Sequence, residues 1–219
     1  MTRADLTDIT LVLDRSGSMQ SIKPATIESF NSFLMSQKSG AGEARLTFVQ
    51  FDDQYEMLYQ AVPIQRAAKL NNQTYQPRGS TALLDAMGRT ILATGERLRQ
   101  IPTDQRPGTV LFVTLTDGYE NASLEFTIQR VNELICQQRT EYAWQFVFLG
   151  ANQDAIATAA QMGIGAAQSM TFAASDSGTR AAVGAFDDKL HRMRSACARG
   201  AFPAPINFDT KDRDAALGD

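Results

Sequence analysis

The chain alternates between short apolar runs and longer stretches whose apolar residues recur at helical spacing. Leu6 to Leu13 is the first apolar run and predicts a strand. Between Ser21 and Lys38, the residues Ile22, Thr26, Phe30, Phe33 and Leu34 fall near one face of a helix. Pro24 is tolerated in that first turn, and Gly40-Ala41-Gly42 ends the helix. Leu46 to Phe51 and Tyr55 to Val62 read as strands separated only by Asp52-Asp53-Gln54. That gap is too short for a crossover, so the third strand is expected to be antiparallel and at a sheet edge. Residues 64 to 77 read as irregular or a short helix, with Pro77 disfavouring helix up to Gln76.

The second half repeats the alternation. Helices are predicted over about Ala82 to Arg99, Leu124 to Glu141, Gln153 to Met162 and Gly178 to Ala198, the third capped by Asn152. Strands are predicted over Thr109 to Thr116, Trp144 to Leu149 and Ser169 to Phe172. Strand–helix alternation broken by one hairpin predicts an α/β fold: a doubly wound, mostly parallel six-stranded sheet with one antiparallel edge strand. Residues 1–200 form one expected domain. Residues 201–219, with Pro203, Pro205 and Lys211-Asp212-Arg213-Asp214, read as a flexible C-terminal tail.

Composition narrows the function. With 219 residues, 43% of them hydrophobic, the chain can bury a proper core. A formal charge of −3, with scattered Lys and Arg, argues against nucleic acid or an anionic membrane as partner. Cys136 and Cys197 lack metal or redox spacing and read as buried apolar fillers. No apolar run approaches a membrane span, and no signal-peptide core precedes the first strand, so a cytoplasmic protein is expected. The oligomeric state is open.

Candidate chemistry begins where the first strand ends. Asp14-Arg15-Ser16-Gly17-Ser18 carries one carboxylate and two hydroxyls at alternate positions, with Gly17 giving the backbone room to fold them together. Hard divalent cations such as Mg2+ or Mn2+ take oxygen ligands of this kind. Taken alone, Ser16 and Ser18 read as caps of the following helix; with Thr81 and Asp117 they read as ligands. In a doubly wound sheet, ligands bind outside the carboxyl ends of the strands near the point of strand-order reversal. Thr81, in Gly79-Ser80-Thr81 before a helix, and Asp117, after the central strand, belong to loops of that rim. Asp85, one turn into its helix, reads as favourable helix-dipole charge.

Asp14-x-Ser16-x-Ser18, then Thr81 in Gly-Ser-Thr-Ala-Leu, then Thr116-Asp117-Gly118 resembles the metal-ion-dependent adhesion site (MIDAS) of von Willebrand factor type A (VWA) domains. The resemblance covers roughly residues 6 to 198 and is nearest to small stand-alone bacterial and phage members. Thr116 to Ser123 and Phe148 to Asp154 are further matching stretches. It implies a Rossmann-like fold and a metal site in which Ser16, Ser18 and Thr81 contact Mg2+ or Mn2+ through hydroxyls. Asp14 and Asp117 would act largely through bound water. The open coordination position would take a Glu or Asp carboxylate from a partner protein, with Tyr119, Glu120, Asn121 and Asn152 on the partner-facing rim. The expected function is therefore a non-catalytic, metal-dependent protein-binding module. The alternative is a Mg2+- or Mn2+-dependent hydrolase or phosphatase at the same site, for which Glu120 is the nearby candidate base.

Overall fold

The computed structural model describes residues 2–151 and 154–218. Six strands form one sheet: β1 (Arg3–Asp14), β2 (Glu43–Phe51), β3 (Tyr55–Pro63), β4 (Pro107–Thr116), β5 (Gln145–Ala151) and β6 (Ser169–Phe172). Their order is β3-β2-β1-β4-β5-β6, and every neighbouring pair is parallel except β2 with β3. The hairpin at Asp52 to Gln54 thus places β3 antiparallel at the edge, as its length requires. Strand order reverses between β1 and β4, which pair directly with Leu13 opposite Leu115.

Six α-helices cover the sheet: α1 (Lys23–Ser39), α2 (Leu83–Arg99), α3 (Ile128–Tyr142), α4 (Ala155–Gln161), α5 (Asp176–Ala198) and α6 (Thr210–Leu217). Alternate residues of each central strand feed two cores. Ile9, Leu11 and Leu13 of β1 join Leu111, Val113 and Leu115 of β4 under α1 and α5. Val12, Val110 and Phe112 pack with α2, α3 and α4 on the other face. Central strands flanked on both sides by helices are buried throughout, which is why they read as near-continuous apolar runs.

Local chemistry moves several boundaries. A 3-10 helix, Gly17–Ile22, precedes α1 and buries Met19 and Ile22. Helix α3 starts at Ile128 rather than near Leu124, because Thr127 accepts the Arg130 N–H as N-cap and the preceding amides bond elsewhere. The N-cap of α4 is Asp154, which accepts the Ala157 N–H at 2.9 Å. The expected cap Asn152 lies outside the described residues. Cys197 is buried as expected, whereas Cys136 is exposed on α3.

The flexible tail expected from residue 201 is instead anchored to the domain at three buried side chains and carries helix α6. Ile206, Phe208 and Ala216 are buried in the α1/α5 core. Asp209 and Asp212 form a capping box that starts α6, and Lys189 of α5 meets Asp212 at 2.7 Å. The Ala173 N–H, just beyond β6, donates to the Ala216 carbonyl at 2.9 Å. The Pro-rich linker hid three apolar side chains that supply the burial. Replacing Phe208 by Ala should cost about 3 kcal/mol of unfolding free energy in urea titrations, whereas a solvated tail would give no change.

Candidate metal centre

The β1–β4 pairing brings Asp14 and Asp117 to one rim. Asp14 is fully buried at the end of β1. Its Oδ2 accepts a hydrogen bond from Thr116 Oγ at 2.5 Å and its Oδ1 accepts the Ser16 N–H at 2.6 Å. The serine side chains of the next loop do not cap the helix that follows. Ser16 Oγ instead lies 3.1 Å from Ser18 Oγ, and Ser18 Oγ donates to Asp117 Oδ1 at 2.6 Å. Both serine hydroxyls therefore face the loop after β4.

Thr81 reaches the same point by a second route. The segment from Tyr75 runs alongside the β1 loop and bonds to it stepwise. Tyr75 Oη donates to the Asp14 carbonyl at 2.6 Å, the Arg78 N–H to the Arg15 carbonyl at 2.8 Å, and the Gly17 N–H to the Gly79 carbonyl at 3.2 Å. Thr81 then exchanges two bonds with Asn121: its N–H donates to Asn121 Oδ1 at 2.9 Å and its carbonyl accepts the Asn121 N–H at 3.0 Å. Gly118 sits at the crossing. A Cβ there would stand 2.6 Å from Thr81 Oγ1 and 3.4 Å from Ser16 Oγ, so only glycine lets the three loops approach.

Arginines brace the loops from outside. Asp52 Oδ2 accepts from Arg15 Nε at 3.0 Å and Arg78 Nε at 2.8 Å. Burial pushes the Asp52 pKa up, but the Arg78 hydrogen bond, the Gln54 N–H and the two guanidinium charges outweigh it and hold it below the usual carboxylate range. Arg15 also pairs with Glu56. Asp14 and Asp117 receive no such cation: neither has an ion pair among the described residues. Burial pushes the Asp14 pKa up to about 6, against the Thr116 and Ser16 hydrogen bonds, and burial also raises Asp117. A hydroxyl set with two carboxylates, held together without a positive charge, fits the oxygen preference of a hard dication.

The other sequence-expected residues divide. Tyr119 is exposed on the rim. Glu120 turns inward: its carboxylate accepts the N–H groups of Leu84, Ala122 and Ser123 and the Ser123 hydroxyl, so it is engaged in holding its own loop. Asn121 is occupied with Thr81 through its Oδ1. Asp85 is more than helix-dipole charge: it accepts the N–H groups of Leu124, Glu125 and Phe126, pinning the loop after β4 to the start of α2. Thr116 and Tyr75 are the supporting residues that sequence reasoning missed. Thr116 carried a signal in its place before Asp117-Gly118, whereas Tyr75 sits in an irregular stretch that offers none.

The family model for the von Willebrand factor type A domain matches residues 8–185. The chain belongs to this family. Among solved structures, it is similar to a von Willebrand factor type A protein from Catenulispora acidiphila, with TM-score 0.57, 16% identity, 88% of this chain covered and 42% of that one. The von Willebrand factor domain of the type V pili tip protein Mfa5 from Porphyromonas gingivalis gives TM-score 0.58 at 11% identity, covering 85% of this chain and 95% of that one. Proximal thread matrix protein 1 from the mussel byssus, solved with a zinc-occupied MIDAS motif, gives TM-score 0.52 at 16% identity, covering 93% of this chain and 48% of that one. The chain thus spans less than half the length of the mussel and Catenulispora chains. No curated protein sequence matches it. No helix among the described residues is long and apolar enough to cross a membrane.

The raised Asp14 pKa has a sign that can be measured. Between about pH 4 and pH 6 the folded chain keeps a proton that the unfolded chain releases, so stability from this group falls as pH rises through that window. In chelator, the stability of Asp14→Asn relative to the unsubstituted chain should therefore improve by roughly 2 kcal/mol between pH 4 and pH 7. Parallel pH–stability curves for the two would contradict an uncompensated carboxylate at this position.

Proposed function

We propose that this VWA domain is a metal-dependent protein-binding module. Ser16, Ser18 and Thr81 would hold Mg2+ or Mn2+ through their hydroxyls, with Asp14 and Asp117 as outer carboxylates. A bound dication supplies an electrophilic position that a Glu or Asp carboxylate of a partner protein can fill. The observation that carries this reading is the convergence of those five oxygen-bearing side chains from three loops, two of them carboxylates with no ion pair among the described residues. The zinc-occupied MIDAS motif of the mussel byssus relative supports a divalent ion at the corresponding place in the fold.

Chemistry beyond binding would need a base aimed at the metal. Glu120, the nearby candidate, has its oxygens engaged by backbone and Ser123 donors, which favours binding over hydrolysis. Calorimetric titration with MgCl2, MnCl2 and ZnCl2 tests the metal directly. The unsubstituted chain should bind at least one of them, and Asp14→Ala or Asp117→Ala should abolish the heat. Because the Asp14 proton competes with the cation, affinity should fall up to tenfold per pH unit below about pH 6. Undiminished binding by both variants would refute the ligand set.

A further inference from the structure

Helices α1 and α5 lie side by side on one face of the sheet, and their polar contacts keep step. Glu28 meets Arg180 at 2.9 Å, and further along both helices Gln37 Nε2 donates to Asp187 Oδ1 at 2.8 Å. Between these two contacts runs a groove of about 170 Å³. Ser29, Ser32 and Phe33 line it from α1, and Val183, Gly184 and Asp187 from α5. Gly184 contributes to the opening, because a Cβ there would meet nothing within 4 Å. No residue of the metal centre lines it.

Two polar groups in this groove are left incomplete. Ser29 is only 5% exposed, yet its hydroxyl has no hydrogen-bond partner among the described residues. Buried hydroxyls are nearly always bonded, so this one calls for a guest. Asp187 is half-buried and belongs to no ion pair among the described residues. The buried Arg194 does not neutralise it directly: its Nη1 donates to Gln37 Oε1 at 2.7 Å, which fixes the amide with Nε2 toward Asp187. Burial pushes the Asp187 pKa up, against the hydrogen bonds from Gln37 and Ser36. At the other end, Arg180 is already met by Glu28 at 2.9 Å and Asp176 at 3.7 Å. The charge left over is therefore negative and sits at the Asp187 end.

We infer that the α1/α5 groove binds a small amino alcohol or a similarly built amine, with its ammonium group on Asp187, its hydroxyl on Ser29 and its carbon chain against Phe33 and Val183. Charge selects the cation, and the unpartnered hydroxyl selects the second polar group. Size selects the rest. The groove is smaller than the roughly 300 Å³ at which drug-sized pockets begin. Ser29 and Gln37, which mark its two ends on α1, are separated by about 12 Å of helix rise. With side chains reaching in from both ends, a chain of about five carbons spans what remains.

Calorimetric titration of the full chain with aminopentanol, read alongside the Gly184 amide shift in NMR spectra, tests the site. Saturable binding that moves this amide is expected, whereas hydroxypentanoate, of similar length and opposite charge, should not bind. Asp187→Asn should weaken aminopentanol roughly tenfold, as the loss of one charge-assisted hydrogen bond predicts. Pentylamine, which lacks the hydroxyl, should bind the unsubstituted chain less tightly than aminopentanol, and Ser29→Ala should erase that difference. Gly184→Leu installs a better helix former, so it should raise the melting temperature while closing the groove to the amine. No saturation by about 20 mM, equal binding of hydroxypentanoate, or unchanged affinity in Gly184→Leu would overturn the site. A preference for the hydroxyl that survives Ser29→Ala would overturn the role of Ser29.

Discussion

A carboxylate buried at the end of the central strand, with no lysine or arginine paired to it among the described residues, is the constraint on which the rest of this structure depends. Asp14 is held there by the Thr116 hydroxyl and the Ser16 amide, yet burial still raises its pKa toward 6. The position follows from topology. Strand order reverses between β1 and β4, so the two loops leaving those strands diverge to opposite faces and open a crevice between them. A carboxylate in that crevice is close to water only through the rim, and the hydroxyls of Ser16 and Ser18 occupy the approach.

Other carboxylates of the same rim do a different job. Asp52 binds two arginines, Asp85 binds three amides, and Glu120 binds amides and a serine hydroxyl. Each ties one long loop to its neighbour, in segments that have no strand or helix ladder to satisfy their backbone groups. This division of labour explains how Thr81 and Asp117, remote in sequence, meet Asp14 within a small space. It also explains why the loop after β4 is irregular up to Thr127: its amides are already committed to Asp85 before α3 can begin.

The fold was largely legible because its signals are periodic. The apolar runs of β1, β4 and β5 are buried on both faces, and the three-residue gap at Asp52 to Gln54 leaves only an antiparallel hairpin. The five candidate ligand positions were legible through their motif, and Asp14, Ser16, Ser18, Thr81 and Asp117 do lie in loops that meet. Orientation was not legible. Nothing in the residue types tells Glu120 from a rim group facing outward, or Asp85 from an ordinary first-turn acid; hydrogen-bond partners across 36 or more residues decide both. Tyr75 was invisible for the same reason, its one decisive contact being a carbonyl 61 residues away. The C-terminal segment misled because Ile206, Phe208 and Ala216 are too sparse for a periodic signal, and their burial comes from a groove formed by distant elements.

The docking of α6 has a geometric consequence. Its Ala216 carbonyl accepts the Ala173 amide, which lies just past the carboxyl end of β6. The helix therefore ends at the same edge of the sheet as the loops bearing Asp14 and Asp117. Two strand spacings separate β6 from β4 and three separate it from β1, roughly 10 and 14 Å. An acidic peptide fused beyond α6 on a short flexible linker would start within a few residues' reach of that crevice, at an effective concentration on the order of millimolar. The end of α6 is thereby a point from which a segment tethered in cis meets the crevice far more often than the same segment free in dilute solution.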